Sequence, residues 1–182
     1  MTSDEELLQS ALHHDEAAFT ALYRRRQGAV YRFALHMSGD AAVSEDVTQE
    51  VFMALLESGA RFDPARGALL SFLYGIARNL LRRRMEKKRP EGADLLAQDL
   101  AADDDVLDDL TRRETIEAVR GAVLSLPEAY REVVVLCDLE NASYEDAAAA
   151  LECPVGTVRS RLSRGRAMLT QKLAVKAVRS IS

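Results

Sequence analysis

Apolar residues return along this chain at intervals of three and four, the spacing that gathers them on one side of a helix. Phe19, Leu22, Tyr23, Val30, Phe33 and Met37 share one such face, and Val43, Val47, Val51 and Leu55 share a second. Leu69, Phe72, Leu73, Ile76 and Leu80 form a third. Only Val133-Val134-Val135-Leu136 has the local character of a strand, and no second candidate exists to pair with it, so it is read as a buried helix. An all-α fold is expected.

The breaks between these faces are legible. Ser38-Gly39-Asp40 separates the second helix from the third, and a longer break, Ser58 to Gly67, separates the third from the fourth. With a short N-terminal helix, residues 1–89 are expected to form a four-helix bundle. From Pro90 to about Leu110 the chain is acidic and lacks aromatic residues, which reads as a flexible linker. Helical spacing resumes with Ile116, Val119, Val123 and Leu126, and Leu126-Pro127-Glu128 reads as a stop followed by a new start with proline in the first turn. Residues 111–182 are then a second small domain, also of four helices.

The formal net charge of −5 conceals alternating blocks. Residues 1–60 hold 4 basic and 10 acidic side chains, 61–90 hold 9 and 2, 91–110 hold none and 8, and 111–182 hold 11 and 9. From Pro154 onward there are seven basic residues and no acidic one. Two basic patches are separated by an acidic strip. The carboxylates in Met1–Ser10 do not suit a signal peptide, and no apolar run approaches the roughly 18 residues of a membrane span. A cytoplasmic protein is expected. Cys137 and Cys153 form no C-x-x-C pair and are read as reduced and buried, and His13, His14 and His36 lack the spacing of a metal site. No cofactor is expected, and without a glycine-rich phosphate loop or an aligned nucleophile and base, no enzyme activity is expected either.

Ser143-Tyr144-Glu145-Asp146 looks like a capping box opening a helix through Leu151. Glu152-Cys153-Pro154 makes a turn, and a longer helix runs from Val155 to about Leu173. A short helix, a tight turn and a long helix make a helix-turn-helix. In the long helix Val155, Val158, Leu162, Leu169 and Leu173 point inward, which leaves Thr157, Ser160, Ser163 and Arg164 facing away, flanked by Arg159, Arg161 and Arg166. Arginine can bond guanine bidentately while hydroxyls and further arginines hold phosphates, so this mixture suits a major groove. An ordinary solvated basic face would also be basic, but neither a preceding cap and turn nor a complete lack of acids would be needed for it. Glycine would be expected where Glu152 stands, because a left-handed residue there costs a side chain on the order of 1 kcal/mol.

These residues carry a resemblance. Leu126-Pro127-Glu128 through Ser143-Tyr144-Glu145-Asp146 to Val155-Gly156-Thr157-Val158-Arg159-Ser160-Arg161-Leu162 resembles region four of the extracytoplasmic-function sigma factors, members of the sigma-70 family. Asp46-Val47-Thr48-Gln49-Glu50-Val51-Phe52 looks like that family's region two signature for holding polymerase. Ile76-Ala77-Arg78-Asn79-Leu80 followed by Arg82-Arg83-Arg84 looks like its promoter-melting helix. The departures are Phe72 where the family commonly has tryptophan, and Glu152 and Cys153 where glycine and an aliphatic residue are usual.

The resemblance implies a transcription initiation factor that binds core RNA polymerase, directs it to promoters and promotes melting. Asp46, Gln49, Glu50 and Met53 form an outward stripe, acidic with an apolar element; the resemblance implies that it meets arginines of the coiled-coil clamp on the large polymerase subunit. Arg61, Phe62 and Asp63 are the candidates for the rim of a pocket that captures a flipped base of the minus-ten element. Arg78, Asn79, Arg82 and Arg83 would hold its phosphates, and Thr157, Arg159, Ser160, Arg161, Ser163, Arg164 and Arg166 would read the minus-35 element. An anti-sigma factor regulates many members of the family, and no residue here identifies one. Two rivals stand beside this reading. A free-standing helix-turn-helix regulator would ordinarily need a dimerisation element, which is not evident, and a sigma-mimicking antagonist of an anti-sigma factor would not need the basic residues.

Overall fold

The structure is a computed structural model that describes residues 2–88 and 107–179. Most of the acidic stretch read as a flexible linker lies outside the described residues. The first domain contains α1 (Asp4–Leu12), α2 (Glu16–Ser38), α3 (Ala41–Ser58) and α4 (Leu69–Lys88). The second contains α5 (Leu107–Leu124), α6 (Glu128–Val134), α7 (Tyr144–Leu151) and α8 (Val155–Arg179). Among the described residues there is no strand. α5 begins at Leu107, so the last residues of the range read as linker, up to 110, are helical.

Local chemistry sets the helix ends. Ser3 caps α1 in a reciprocal box with Glu6, and the Asp15 carboxylate accepts the N–H groups of Ala17 and Ala18 at the start of α2. Gly39 ends α2 at φ 71°, and Asp40 immediately caps α3 by accepting from the Val43 N–H. A Cβ at Gly39 would also lie 2.8 Å from Leu124 Cδ1, so any other residue there would both strain the backbone and displace the end of the Leu124 side chain. The Ser58-to-Gly67 break is two 3₁₀ turns, Gly59–Arg61 and Pro64–Arg66.

Leu22, Val30, Phe33, Val47, Val51, Leu55 and Leu73 are fully buried in the first core, as their spacing predicts. The Phe52 ring sits edge-on to Tyr23 at 4.8 Å and to Phe19 at 6.4 Å, tying α3 to α2. Buried Asp4 accepts from Arg25 and Arg26, which fastens α1 to α2. On α4 the inward stripe is rotated from the expected one. Leu69 and Leu73 are buried, but Phe72, Ile76 and Leu80 are only half-buried, while Tyr74, Ala77 and Leu81 are buried. The reason is that α4 is covered twice, by its own bundle and by the second domain. Tyr74 packs its ring 5.1 Å from Phe33 and reaches across to Glu140.

In the second domain Val133-Val134-Val135-Leu136 is buried and helical, as expected, but α6 passes into a π turn over Val135–Leu139 in which the Glu140 N–H reaches back five residues to the Val135 carbonyl. Cys137 and Cys153, expected to be buried, are half-buried free thiols. Among the described residues no helix is long and apolar enough to cross a membrane.

The two domains pack against each other through α2 and α4 on one side and α5, the π turn and α7 on the other, with α6 joined to α2 and α4 by the side chains of Arg131, Glu132 and Glu128. Arg131 pins the seam from within. One guanidinium nitrogen donates to the Met37 carbonyl at 2.8 Å, and another donates to the carbonyls of Leu124 and Leu126. A cation thus closes the carboxyl ends of both α2 and α5, where the helix dipoles favour it.

Candidate functional site

The helix-turn-helix forms as the sequence predicts, with one difference in its cap. Ser143 accepts the Asp146 N–H and donates its hydroxyl to the Asp146 carboxylate, rather than completing the box through its own N–H. The other Asp146 oxygen reaches the first domain, accepting from the Ser71 hydroxyl at 3.0 Å and the Ala68 N–H at 3.4 Å. These donors, Ser143 foremost, hold its carboxyl below the usual range. Glu152 takes the left-handed conformation at φ 52°, ψ 43°, as the turn demands.

On α8, Val158 and Leu162 are buried against the rest of the domain, while Arg159, Ser160, Ser163, Arg164 and Arg166 are exposed. Thr157 and Arg161 are half-buried at the edges of that face. Two of the arginines are already engaged. Arg159 lies over the Tyr144 ring at 5.6 Å, and Arg166 makes a two-pronged bond to Asp138, at 3.0 Å and 2.6 Å. Ser160, Ser163 and Arg164 are therefore the centre of the accessible face.

The first domain brings the second set together. Arg61, Phe62 and Asp63 line a cleft of about 610 Å³ with Arg66, Ser71 and Phe72, and the far wall comes from the second domain, including Glu145, Glu152 and Cys153. Phe62 packs on Phe72 at 5.7 Å, so it forms floor as well as rim, and Asp63 caps the second 3₁₀ turn through the Ala65 N–H. Asn79 and Arg83 are exposed. Arg78 is not turned to solvent: it donates to Glu132 at 2.5 Å, and Arg82 lies 3.6 Å from Glu128. Glu132 is almost fully covered, and burial raises its carboxyl pKa against the opposing pull of Arg78.

The third set, Asp46, Gln49, Glu50 and Met53, forms one outward stripe on α3, and Met53 is 64% exposed. Arg84, read from the sequence as part of the basic run after Leu80, is turned to this stripe instead and pairs with Glu50 and Asp46. Spacing along α4 alone could not show that, because it requires knowing how α3 lies beside it. The carboxylates of the seam, Glu128, Glu132, Glu140 and Asp146, were missed as a set. The one signal available was Glu132, a carboxylate directly preceding the all-apolar run Val133–Leu136.

Comparison with known proteins agrees with both halves. Residues 22–91 match Sigma-70 region 2, and residues 116–169 match Sigma-70, region 4. The ECF RNA polymerase sigma factor SigE of Mycolicibacterium smegmatis is 34% identical over 88% of this chain and 64% of its own length. The RNA polymerase sigma-H factor of Pseudomonas aeruginosa is 32% identical over 93% of each. Among solved structures, the sigma factor RpoE from Bartonella quintana, in complex with the anti-sigma factor NepR, is similar with a TM-score of 0.67 at 27% identity, over 86% of this chain and 97% of that one.

Proposed function

The chain belongs to the extracytoplasmic-function sigma factors, the subunits that direct RNA polymerase to promoters, and from that premise we propose how its residues divide the work. The α3 stripe of Asp46, Gln49, Glu50 and Met53 docks on the coiled-coil clamp of the large polymerase subunit, its carboxylates meeting clamp arginines and Met53 adding an apolar contact. The cleft bounded by Arg61, Phe62 and Asp63 receives a base flipped from the minus-ten element, with Arg78, Asn79, Arg82 and Arg83 along the neighbouring phosphates. Thr157, Ser160, Ser163 and Arg164 enter the major groove at the minus-35 element, flanked by Arg159, Arg161 and Arg166. The factor works in the cytoplasm by binding alone, without chemistry of its own. By its similarity to the RpoE–NepR pair, an anti-sigma factor is proposed as a further partner.

The observation that carries this reading is the helix-turn-helix whose second helix buries Val158 and Leu162 and exposes Ser160, Ser163 and Arg164. The roles can be separated experimentally. Arg164→Ala and Ser160→Ala should weaken protection of the upstream promoter element while polymerase binding is kept. Asp46→Arg and Gln49→Ala should weaken polymerase binding while the isolated helix-turn-helix contacts are kept. Interchanged effects would overturn the assignment.

A further inference from the structure

Arg159, Ser163 and Arg166 stand at i, i+4 and i+7 along one edge of the exposed face of α8, and both arginines of that edge are held from outside the helix. The Tyr144 ring at the start of α7 lies against Arg159, and Asp138 in the π turn accepts from Nε and Nη2 of Arg166 at 3.0 Å and 2.6 Å. The backbone prepares this second contact. A Cβ at Gly165 would lie 2.8 Å from Val134 Cγ2 and 3.4 Å from the Tyr130 carbonyl oxygen, so glycine lets α8 run close against α6 immediately before Arg166. α6 then widens into the π turn that carries Asp138, a departure from regular helix often found at functional positions. The Nη1 side of the Arg166 guanidinium has no partner among the described residues, and the side chain is 54% exposed.

We propose that Asp138 is a positioning residue for DNA: it grips one edge of the Arg166 guanidinium and so fixes the Nη1 edge for a backbone phosphate beside the bases met by Ser160, Ser163 and Arg164. The inference rests on the reading of α8 as the helix that enters the major groove. A bare carboxylate on such a face would repel DNA. Both oxygens of Asp138 are instead taken up by Arg166, whose charge offsets its own, and what the carboxylate supplies is order. A planar guanidinium held along its Nε and Nη2 edge still presents donors along the other edge, in the fork geometry that phosphate oxygens accept. An arginine without such a brace must give up its rotamer freedom on binding, which weakens affinity roughly two- to tenfold. Arg166 lies about three turns into α8, past the N-terminal residues that reach base edges in this motif. The contact is therefore with the backbone and carries no sequence preference.

The test is fluorescence anisotropy at low salt with the full chain and two duplexes of unrelated sequence, each of about 25 base pairs. Asp138→Asn removes a negative charge, yet it should weaken binding roughly two- to tenfold and equally on both duplexes. In an Arg166→Met background the same change should leave affinity unchanged or raise it, because nothing remains to be positioned. Arg166→Met alone should lower the slope of log affinity against log salt by about 1. Unchanged or higher affinity with Asp138→Asn alone, a loss that persists in the Arg166→Met background, a loss confined to one duplex, or an unchanged salt slope would each overturn the proposal. Arg164→Ala in the same assay reads the parent assignment separately. If it weakens binding while Asp138→Asn does not, only the positioning role is refuted; if it has no effect on either duplex, α8 is not the DNA-reading helix and both readings fall.

Discussion

Glu152 is the clearest point at which this sequence works against its own fold. It ends α7 at φ 52°, ψ 43°, inside the turn that orients α8. For an L side chain the left-handed region costs roughly 1–2 kcal/mol through crowding of Cβ on the following carbonyl. Glycine removes that cost but regains freedom in the unfolded chain, which offsets about 0.4–1 kcal/mol. Glu152→Gly should therefore stabilise the second domain by about 0.5–1 kcal/mol, equivalent to a rise in melting temperature of about 2–8 °C for a domain of this size. Thermal unfolding by circular dichroism, run beside Glu152→Ala, separates the causes. Alanine removes the exposed carboxylate but keeps Cβ, so it should stay within about 0.5 kcal/mol of the parent. A glycine variant no more stable than the alanine variant would refute the strain argument.

Arg131→Met should lower stability in urea unfolding by about 2–4 kcal/mol, since it strips donors from the carbonyls of Met37, Leu124 and Leu126, and a loss under about 1 kcal/mol would show that water replaces them. Asp40→Ala should cost about 1 kcal/mol through the lost α3 cap, whereas the same change at exposed Glu57 should cost little. His36 has its pKa lowered from the ordinary 6.5 by burial first, then by Arg120 and Arg32. The folded chain then binds fewer protons than the unfolded one. Its contribution is complete above about pH 6.5 and is lost as pH falls through that value toward the lowered one. Melting temperature followed from pH 8 to 5 should fall across that window, and His36→Gln should flatten the fall; an unchanged slope would exclude His36 as its source.

Periodicity was enough to place α2 and α3 because their apolar stripes turn to the first-domain core, and the Gly39 and Asp40 signals mark a boundary that their backbone chemistry enforces. It failed on α4 for a physical reason: a helix covered on two sides has no single inward stripe, and Tyr74, Ala77 and Leu81 are buried where the one-core pattern points elsewhere. The helix-turn-helix was legible because the buried face of α8, Val158 and Leu162, and its turn are both local. The engagement of Arg78 by Glu132 and of Arg84 by Glu50 was not, because those partners are 54 and 34 residues away and nothing in either segment names the other.

The most direct measurement mixes the purified chain with sigma-free bacterial core polymerase, follows co-elution, and maps transcripts made from genomic DNA. A stable complex that initiates at discrete new start sites is expected. Failure to bind polymerase, together with tight and specific DNA binding by the chain alone, would contradict it and point to a free-standing regulator.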